Sequence, residues 1–359
     1  MKRLYFLVVS LALVSSLGCA QSIVVKSHDV HIRYSGRIVM TDDAAELSWS
    51  ASSVKLNFKG TEVKATLKDE HGNDYWTVIV DNKVVNIIQP DSVQRQYTLV
   101  SGLPNENHTI ELFKRTEWVM GKTWFYQFEL DRSASILSAP PAPKRRIEFF
   151  GNSITCGYAI EDTTGKDRGT APYENGYLSY AAITARHFNA ELHNISRSGI
   201  GVMVSWFPMV MPDMYYRLDP TDAESKWDFS QYKPDVVVIN LFQNDSWIVK
   251  LPDNDQFKAV FGTKPPTDEQ IIKAYKDFVK SIKSKYPKTP IICVLGSMDA
   301  TKEGAPWPGY IQKAVAEIGD KNIYTHFFPY KNTPGHPSKK EQQAMADDLI
   351  AFIDQHIKW

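Results

Sequence analysis

The chain has 359 residues, enough for two domains with separate cores. Lys plus Arg and Asp plus Glu both number 41. This neutral balance, without a basic run, argues against nucleic acid as the main partner. Aromatic residues make up 12% of the chain. Aromatic, charge-balanced surfaces suit neutral ligands such as sugars, although many of these rings will belong to the core.

The chain opens with the pattern of an export signal. Met1-Lys-Arg precedes an almost wholly apolar run over 4–17, and small residues surround the expected cleavage site. The run is too short to be a transmembrane span with its flanks. Cleavage after Ala20 makes residues 1–20 a signal peptide and predicts a soluble exported protein. Cleavage before Cys19 would instead leave a lipid anchor. We favour export, and we keep a periplasmic, extracellular or surface-anchored location open.

Residues 21–138 are predicted to form an N-terminal β-sandwich of jelly-roll type. Polar and apolar residues alternate with period two, which is typical of half-buried strands. Turn residues such as Lys59-Gly60 and His71-Gly-Asn separate these segments. Many short strands without a helical period indicate a sandwich. The predicted strands cover 53–59, 61–68, 75–81, 96–100, 108–114 and 123–130.

A Pro-rich linker over 139–145 separates this region from a second domain over 146–359. Beyond the linker, apolar runs alternate with helical patterns, which indicates a parallel sheet covered on both faces. Capping-box patterns open two of the predicted helices, at Thr267 and at Ser338. We expect five parallel strands, at 146–150, 190–195, 235–241, 290–296 and 322–328.

The most informative segment of the second domain is 147–157, Ile-Glu-Phe-Phe-Gly-Asn-Ser-Ile-Thr-Cys-Gly. Its apolar run ends at Phe150, Gly151 allows a tight turn, and Ser153 follows where the strand gives way to a helix. A serine there faces the crevice in which open α/β sheets bind ligands. The N–H groups of the helix start can stabilise an oxyanion. Taken alone, the segment fits a helix N-cap without chemistry equally well.

Three further polar positions converge on the same rim. Gly199 follows the strand over 190–195, Asn244 follows the strand over 235–241, and His336 precedes the last helix. Alone, each is usually a turn, a loop cap or a solvated loop histidine. Together with Ser153 they supply a nucleophile, a backbone donor, an amide donor and an imidazole, which is the set that acyl transfer requires.

These four blocks, in this order, resemble those of the SGNH (GDSL-type) hydrolases. The added β-domain, Ser153-Ile-Thr-Cys-Gly-Tyr and Gly335-His-Pro-Ser are similar to carbohydrate esterase family 2, the acetyl xylan esterase-like group. The resemblance implies a flavodoxin-like hydrolase domain, no cofactor, and removal of O-acetyl groups from plant polysaccharides or oligosaccharides such as xylan and glucomannan. It implies Ser153 as nucleophile and His336 as base. It implies an oxyanion hole made of the Ser153 and Gly199 N–H groups and the Asn244 side chain.

The sequence departs from the family pattern at the acid of the triad. Thr333 and Pro334 stand three and two residues before His336, where an Asp is expected. A catalytic base needs its tautomer and ring orientation fixed. We therefore predict a dyad in which the Nδ1 atom of His336 donates to a backbone carbonyl. Phe242-Gln243 also replaces the usual Gly-Thr before Asn244.

Tryptophans after the strands are candidates for sugar binding. Trp247 lies three residues after Asn244, and Trp206 and Trp307 lie in other predicted loops. Stacking on sugar competes here with simple packing. A metal site is not expected, because the histidines show no ligand spacing. A disulfide between the two cysteines of the mature chain, Cys156 and Cys293, is left open.

Two other functions compete with the esterase. A lipase or thioesterase on the same fold would need an apolar acyl tunnel, against which the Trp- and Tyr-rich loops argue. A non-catalytic carbohydrate-binding protein with a decayed site would explain the missing acid. The short stiff linker further predicts that loops of the sandwich wall one side of the Ser153 cleft. An independent, flexibly tethered module is the alternative.

Overall fold

The computed structural model describes residues 22–359, which form a β-sandwich followed by an α/β domain. The expected signal over 1–20 and Cys19 lie outside the described residues. The strands of the sandwich are, in chain order, β1 (Ile23–Lys26), β2 (Arg33–Ser35), β3 (Ile38–Met40), β4 (Ala45–Leu47), β5 (Ser53–Gly60), β6 (Val63–Asp69), β7 (Trp76–Val80), β8 (Lys83–Ile88), β9 (Arg95–Val100), β10 (Glu106–Lys114), β11 (Thr123–Leu130) and β12 (Ser135–Ile136).

Two antiparallel sheets make up the sandwich. One has the order β3-β4-β11-β6-β9, with β1 also pairing with β11; the other has the order β12-β5-β10-β7-β8, with β2 also pairing with β5. Period-two alternation places the apolar side chains between the sheets, as β6 illustrates by burying Val63, Ala65 and Leu67 and leaving the residues between them half-buried. The predicted sandwich is therefore confirmed.

The second domain has a five-stranded parallel sheet, as the sequence predicts. Its strands are β13 (Arg145–Gly151), β14 (Ala190–Ser196), β15 (Val236–Asn240), β16 (Ile291–Leu295) and β17 (Ile323–Phe327). They have the order β14-β13-β15-β16-β17. This is the flavodoxin-like order, which places the topological switch point at the first strand of the sheet, β13. Ser153 comes two residues after that strand.

Helices cover both faces of this sheet. They are α1 (Ser153–Cys156), α2 (Tyr180–His187), α3 (Met211–Met214), α4 (Gln243–Ile248), α5 (Asp255–Phe261), α6 (Asp268–Lys285), α7 (Trp307–Ile318) and α8 (Lys339–His356). The predicted capping boxes at Thr267 and Ser338 open α6 and α8. Apolar residues of α6 and α7 pack on one face of the sheet, and those of α2 and α8 pack on the other.

Polar contacts join the two domains. Arg37 of the sandwich reaches Glu148 of β13 with an N–O distance of 2.9 Å, and both side chains are fully buried. Lys122 contacts Asp219 at 3.0 Å. Because unpaired buried charges are costly, the Arg37–Glu148 pair ties the sandwich to the strand that leads to Ser153.

Two further observations bear on the expectations from sequence. Cys156 and Cys293 are both free, buried thiols. No helix within residues 22–359 is long and apolar enough to cross a membrane.

Candidate active site

Ser153 is the first residue of α1, directly beyond the carboxyl end of β13. Asn152 caps this short helix by accepting the Ile154 N–H on its side-chain oxygen at 3.1 Å. Ser153 is 6% exposed. The cap holds the serine at the crevice edge with its own N–H pointing out of the helix start, where helical geometry provides no acceptor.

A continuous hydrogen-bond relay leads from this serine. The Oγ atom of Ser153 lies 2.8 Å from the Nε2 atom of His336. On the other side of the ring, Nδ1 lies 3.0 and 2.9 Å from the two carboxylate oxygens of Asp167. Because an ionised carboxylate only accepts, Nδ1 carries the proton and Nε2 is left to accept from the serine hydroxyl.

The expected dyad is therefore wrong, because Asp167 occupies the position assigned to a backbone carbonyl. The Asp167 carboxylate also accepts the backbone N–H of His336 at 2.8 Å, so it fixes both the ring and its main chain. Reasoning from the residues just upstream of His336 missed it because it comes from a loop 169 residues earlier in the chain. Its one local signal is its place between Gly165 and Gly169, in the loop that follows the serine helix.

Close packing supports the loop that carries Asp167. Gly335 has a φ of +68°, and a Cβ atom there would lie 3.0 Å from the Asp167 carboxyl carbon. The Tyr158 ring covers the His336 ring with a centroid distance of 4.3 Å. Burial raises the pKa of Asp167, but the hydrogen bond and charge of His336 outweigh it and leave this pKa below its ordinary value. Asp167 is therefore ionised at every pH at which the His336 imidazole is neutral and can act as a base.

Two backbone donors are free beside Ser153. Within residues 22–359, neither the Ser153 N–H nor the Gly199 N–H has a protein acceptor. Gly199 has a φ of +81°, and a Cβ atom there would lie 3.1 Å from the Phe207 ring and 3.3 Å from the Trp206 ring. Glycine is thus required both by conformation and by space. The sequence-predicted residues of the oxyanion hole follow the ends of β13, β14 and β15, on one edge of the sheet.

The third predicted donor, Asn244, is buried and held at both ends of its amide. Its Nδ2 atom donates to the Ile200 carbonyl at 2.8 Å, and its Oδ1 atom accepts the indole N–H of Trp206 at 3.1 Å. These two contacts fix which end of the amide is nitrogen. They leave the second Nδ2 hydrogen available to a ligand.

Asp245 shapes the turn that follows Gly199. Its buried carboxylate accepts the backbone N–H groups of Val202, Met203 and Val204 at 2.7–3.2 Å. Burial raises the pKa of Asp245 to about 6, against the lowering effect of these N–H groups. The two residues of the Asn-Asp pair at 244–245 therefore have different roles: Asn244 offers a hydrogen-bond donor, and Asp245 holds the loop.

Phe242 explains how the chain tolerates the loss of glycine before Asn244. It adopts a φ of +85°, an outlier for a bulky residue. Its ring is fully buried and packs against Tyr275 and Trp307, with centroid distances of 4.7 and 5.1 Å. This apolar burial offsets the backbone strain that a glycine would avoid.

The three candidate tryptophans differ in exposure and in their contacts. Trp206 is 44% exposed and contacts Asn244, so it stands at the rim of the site. Trp247 is half-buried, and its indole N–H donates to both oxygens of Asp299 at 2.8 and 2.9 Å. Trp307 is 2% exposed and begins α7 inside the core, so the expectation that it stacks on sugar is wrong.

One buried cluster beside the site has atoms close enough to surround a cation. Oxygen atoms of Glu117 and Glu174 and the Cys156 sulfur lie within 4.8 Å of one another. One oxygen of each carboxyl group already accepts a backbone N–H, from Ser198 in one case and from the Glu117 main chain in the other. Burial and the nearby Glu117 charge raise the pKa of Glu174 well above its usual range, so the charged form of Glu174 is disfavoured.

Comparison with known families covers both domains. Residues 34–140 match the family described as carbohydrate esterase 2 N-terminal, and residues 149–349 match the GDSL-like lipase/acylhydrolase family. Cellulase/esterase CelE of Acetivibrio thermocellus is 34% identical over 91% of this chain, which spans 40% of that protein's length. An acetylxylan esterase / glucomannan deacetylase of Cellvibrio japonicus is 26% identical over 96% of both chains.

A solved structure agrees with these matches. A family two carbohydrate esterase from Clostridium thermocellum, in complex with cellohexaose, superposes with a TM-score of 0.80 at 34% identity. The match covers 90% of this chain and 98% of that one. The similarity thus extends over both domains and includes the segments that carry Ser153 and His336. The chain therefore belongs to carbohydrate esterase family 2, and with it to the carboxylic-ester hydrolases.

Proposed function

We propose that the protein is an exported acetyl esterase that removes O-acetyl groups from plant polysaccharides through an acyl-enzyme on Ser153. The observation that carries this proposal is the relay from Ser153 through His336 to Asp167, set beside free N–H donors. The nucleophile, base and orienting acid that acyl transfer needs are hydrogen-bonded in series, and the proposed oxyanion donors follow the ends of neighbouring strands.

In the acylation step, the Ser153 Oγ atom attacks the acetyl carbonyl carbon while His336 Nε2 takes the hydroxyl proton. The carbonyl oxygen becomes an oxyanion, which accepts hydrogen bonds from the Ser153 and Gly199 N–H groups and the free Asn244 Nδ2 hydrogen. When the intermediate collapses, His336 returns its proton to the sugar oxygen, and the sugar leaves as an alcohol. Asp167 stays ionised and stabilises the imidazolium.

Deacylation repeats these steps with water. His336 Nε2 takes a proton from water, whose oxygen attacks the acetyl carbon bound to Ser153. Collapse of the second intermediate breaks the bond to the Ser153 oxygen, which recovers its proton from His336. Acetate is released, and the relay is restored with Nδ1 still held by Asp167.

Carbohydrate is the proposed substrate class for two reasons. The relatives named above are described as acetylxylan esterase and glucomannan deacetylase, and as a family two carbohydrate esterase bound to cellohexaose. In addition, Trp206 presents an exposed ring beside Asn244, where a sugar ring could stack. The pattern over residues 1–20 supports export to where such polymers are found.

The cavity beside His336 is not an apolar acyl tunnel of the kind that a lipase would need. It has a volume of about 240 Å³, lies on the Asp167 side of the ring, and is lined by polar groups that include Asp162, Asp167 and Glu341. The alternative of a decayed, non-catalytic binding site was based on the missing acid. Asp167 supplies a carboxylate at His336, so that reason no longer holds.

The test is hydrolysis of 4-nitrophenyl acetate, butyrate and decanoate, followed by acetate release from acetylated xylan and glucomannan. We expect turnover that falls as the acyl chain lengthens, and loss of at least about 10⁴-fold in kcat for Ser153→Ala. His336→Ala should be equally severe. Its matched control is His326→Ala, because His326 pairs with Asp348 at 2.8 Å but has no serine partner among the described residues. Acetyl turnover unaffected by Ser153→Ala would refute the proposal, and a preference for decanoate would favour the lipase.

A further inference from the structure

Glu117 belongs to the sandwich in sequence but to the active site in space. It follows β10 by three residues and is 1% exposed. Its main-chain N–H donates to Glu174 Oε1 of the α/β domain at 2.6 Å. Its side chain also contacts the α/β domain, at Ser198 and Cys156. The carboxyl group of Glu117 is therefore buried between the two domains.

One oxygen of this carboxyl group touches both catalytic segments. Oε2 accepts the backbone N–H of Ser198 at 2.7 Å, and Ser198 directly precedes Gly199. The same oxygen lies 3.8 Å from the sulfur of Cys156, the last residue of the helix that Ser153 begins. Glu117 thus contacts both the segment that carries the oxyanion donor and the helix that carries the nucleophile.

The Ser198 contact restrains the backbone directly before the Gly199 N–H. On one side of Gly199, Glu117 holds the Ser198 N–H; on the other, the Gly199 carbonyl accepts the Trp206 N–H at 3.1 Å. These two bonds anchor the peptide units on either side of the one that carries the Gly199 N–H, and so restrict the reorientation of that N–H. Arg197 completes the support, since its guanidinium lies against Phe207 and the sandwich residue Trp118.

A purely structural role would not require a carboxyl group here. Burial raises the pKa of Glu117, against the lowering effect of the Ser198 hydrogen bonds and the Arg197 charge, so its charged form is disfavoured. An apolar side chain of similar volume would avoid that cost. What only an acceptor at this place supplies is the hydrogen bond to Ser198.

On the basis of the esterase function proposed above, we propose that Glu117 is a positioning residue of the oxyanion hole. It acts through Ser198 to aim the Gly199 N–H at the transition state. The sandwich is then part of the catalytic apparatus, rather than only a neighbour or an attachment module. This role predicts a defect in kcat, because a misaimed donor is felt when the oxyanion forms, not when the ester binds.

The experiment compares three substitutions of Glu117 in the full chain with 4-nitrophenyl acetate. Glu117→Ala should lower kcat by about 10- to 100-fold with KM within about threefold, somewhat less than the loss of a whole oxyanion donor. Glu117→Gln keeps an acceptor at the same reach and should remain within about threefold of wild type. Glu117→Asp keeps the charge but withdraws it by one methylene, and should lose about tenfold or more.

The order of the last two variants separates the two roles. A positioning role predicts a higher kcat for Glu117→Gln than for Glu117→Asp. A role of the charge itself predicts the reverse order. Both keep a polar group, so the comparison stands even if Glu117→Ala does not fold. Lys122→Met is the matched control, because it removes an inter-domain ion pair that does not touch the site, and it should leave kcat within about twofold of wild type.

Three results would overturn the proposal. One is an unchanged kcat in folded Glu117→Ala with only a lower Tm, which would make the residue structural. Another is a kcat for Glu117→Asp that equals or exceeds that of Glu117→Gln. A third is loss of wild-type activity in EDTA with recovery on adding a divalent cation, which would assign Glu117, Cys156 and Glu174 to a metal. An inactive wild-type enzyme would refute the esterase function and the positioning role together, whereas an active wild type with normal variants refutes the positioning role alone.

Discussion

The two sides of the candidate site are built in different ways. On the strand side, Ser153, Gly199 and Asn244 follow the ends of three adjacent parallel strands. On the loop side, His336 and Asp167 come from two irregular segments, which are joined by the bonds of the Asp167 carboxylate to the ring and to the backbone N–H of His336. The sheet topology fixes the first set, whereas the second depends on local packing. The strand side is therefore readable from sequence order, and the loop side is not.

The electrostatics of the two sides also differ. Asp167 on the loop side has a side chain that is 34% exposed, and its pKa is lowered because the His336 contacts outweigh burial. Behind the strand side, burial raises the pKa of Asp245, Glu117 and Glu174. The loop side thus keeps its carboxylate charged for chemistry, while the strand side uses buried carboxyl groups to hold backbone N–H groups.

The largest expected effect tests the loop side. Asp167→Asn should lower kcat by about 10⁴-fold while the protein stays folded, because an amide can donate to Nδ1 and so impose the wrong tautomer on His336. Steady-state kinetics with 4-nitrophenyl acetate at pH 7 would measure it. Asp348→Asn is the matched control: the His326–Asp348 pair has similar exposure and a similar distance, but contacts no serine of the described chain. A loss below about threefold for Asp167→Asn would restore the dyad.

The strand side is tested by Asn244→Ala. Removal of one oxyanion donor should lower kcat by about 10²- to 10³-fold and leave KM nearly unchanged, because the amide acts mainly in the transition state. The same kinetics on the acetyl ester would show it. A large rise in KM with normal kcat would instead assign Asn244 to substrate binding.

Sequence reasoning succeeded where a period or a strand end constrained the answer. The change from period two to alternating strands and helices was sufficient to predict both domains, and the fold class is confirmed. Asp167 was missed because no spacing rule connects a loop after the serine helix to a histidine near the last helix. Phe242 shows that burial can stabilise a backbone conformation that its residue type disfavours.

Trp307 was assigned wrongly for a different reason. Its place after a strand suggested an exposed loop, but Trp307, Ile311 and Ala314 have helical spacing and form one buried stripe of α7. This helical spacing is present in the sequence, but the position of Trp307 after a strand was given more weight. The glycine at 335 was also visible, but only the structure shows that Asp167 fills the space its missing Cβ leaves.

A smaller effect should reveal how the strand side is supported. Trp206→Phe keeps an aromatic ring but removes the indole N–H that anchors Asn244, so we expect kcat to fall by about three- to tenfold at constant KM. Trp206→Ala should in addition raise KM for acetylated polymer, if the ring stacks on sugar. Equal kinetics for Trp206→Phe and wild type would mean that the amide does not need this anchor.

The matching support on the loop side is Gly335. Gly335→Ala would strain a left-handed residue and push on the Asp167 carboxyl, so we expect kcat to fall several-fold and stability to fall by about 1 kcal/mol. Gly165→Ala is a close control, since Gly165 has a φ of +72° but a Cβ atom there would meet no atom of residues 22–359 within 4 Å. It should lose similar stability without losing kcat. If both variants lose kcat alike, backbone strain rather than contact with Asp167 is responsible.

The smallest expected effect concerns stability against pH and rests on the opposite pKa shifts of the two sides. Because the folded pKa of Glu174 is raised above the ordinary 4.5, its contribution to stability is complete below that pH and is lost as pH rises through the folded pKa. Asp167 has a lowered folded pKa, so its contribution is present above 3.8 and is lost as pH falls through the folded value. The charged or titratable groups around Glu174 are Glu117, Lys114, Asp74, Arg115 and Cys156.

Glu174→Gln should therefore gain stability relative to wild type as pH rises from about 5 to about 9. The amide oxygen can still accept the Glu117 N–H, while the buried negative charge is removed. A gain of about 1 kcal/mol would raise Tm by roughly 2–4 °C at the alkaline end. Asp167→Asn should instead be less stable than wild type near neutrality, with the difference shrinking below about pH 4. Thermal melts of both variants across this range would measure the two slopes. If Glu174→Gln followed the same slope as Asp167→Asn, the strand side would not hold a protonated carboxyl, and the electrostatic contrast between the two sides would fail.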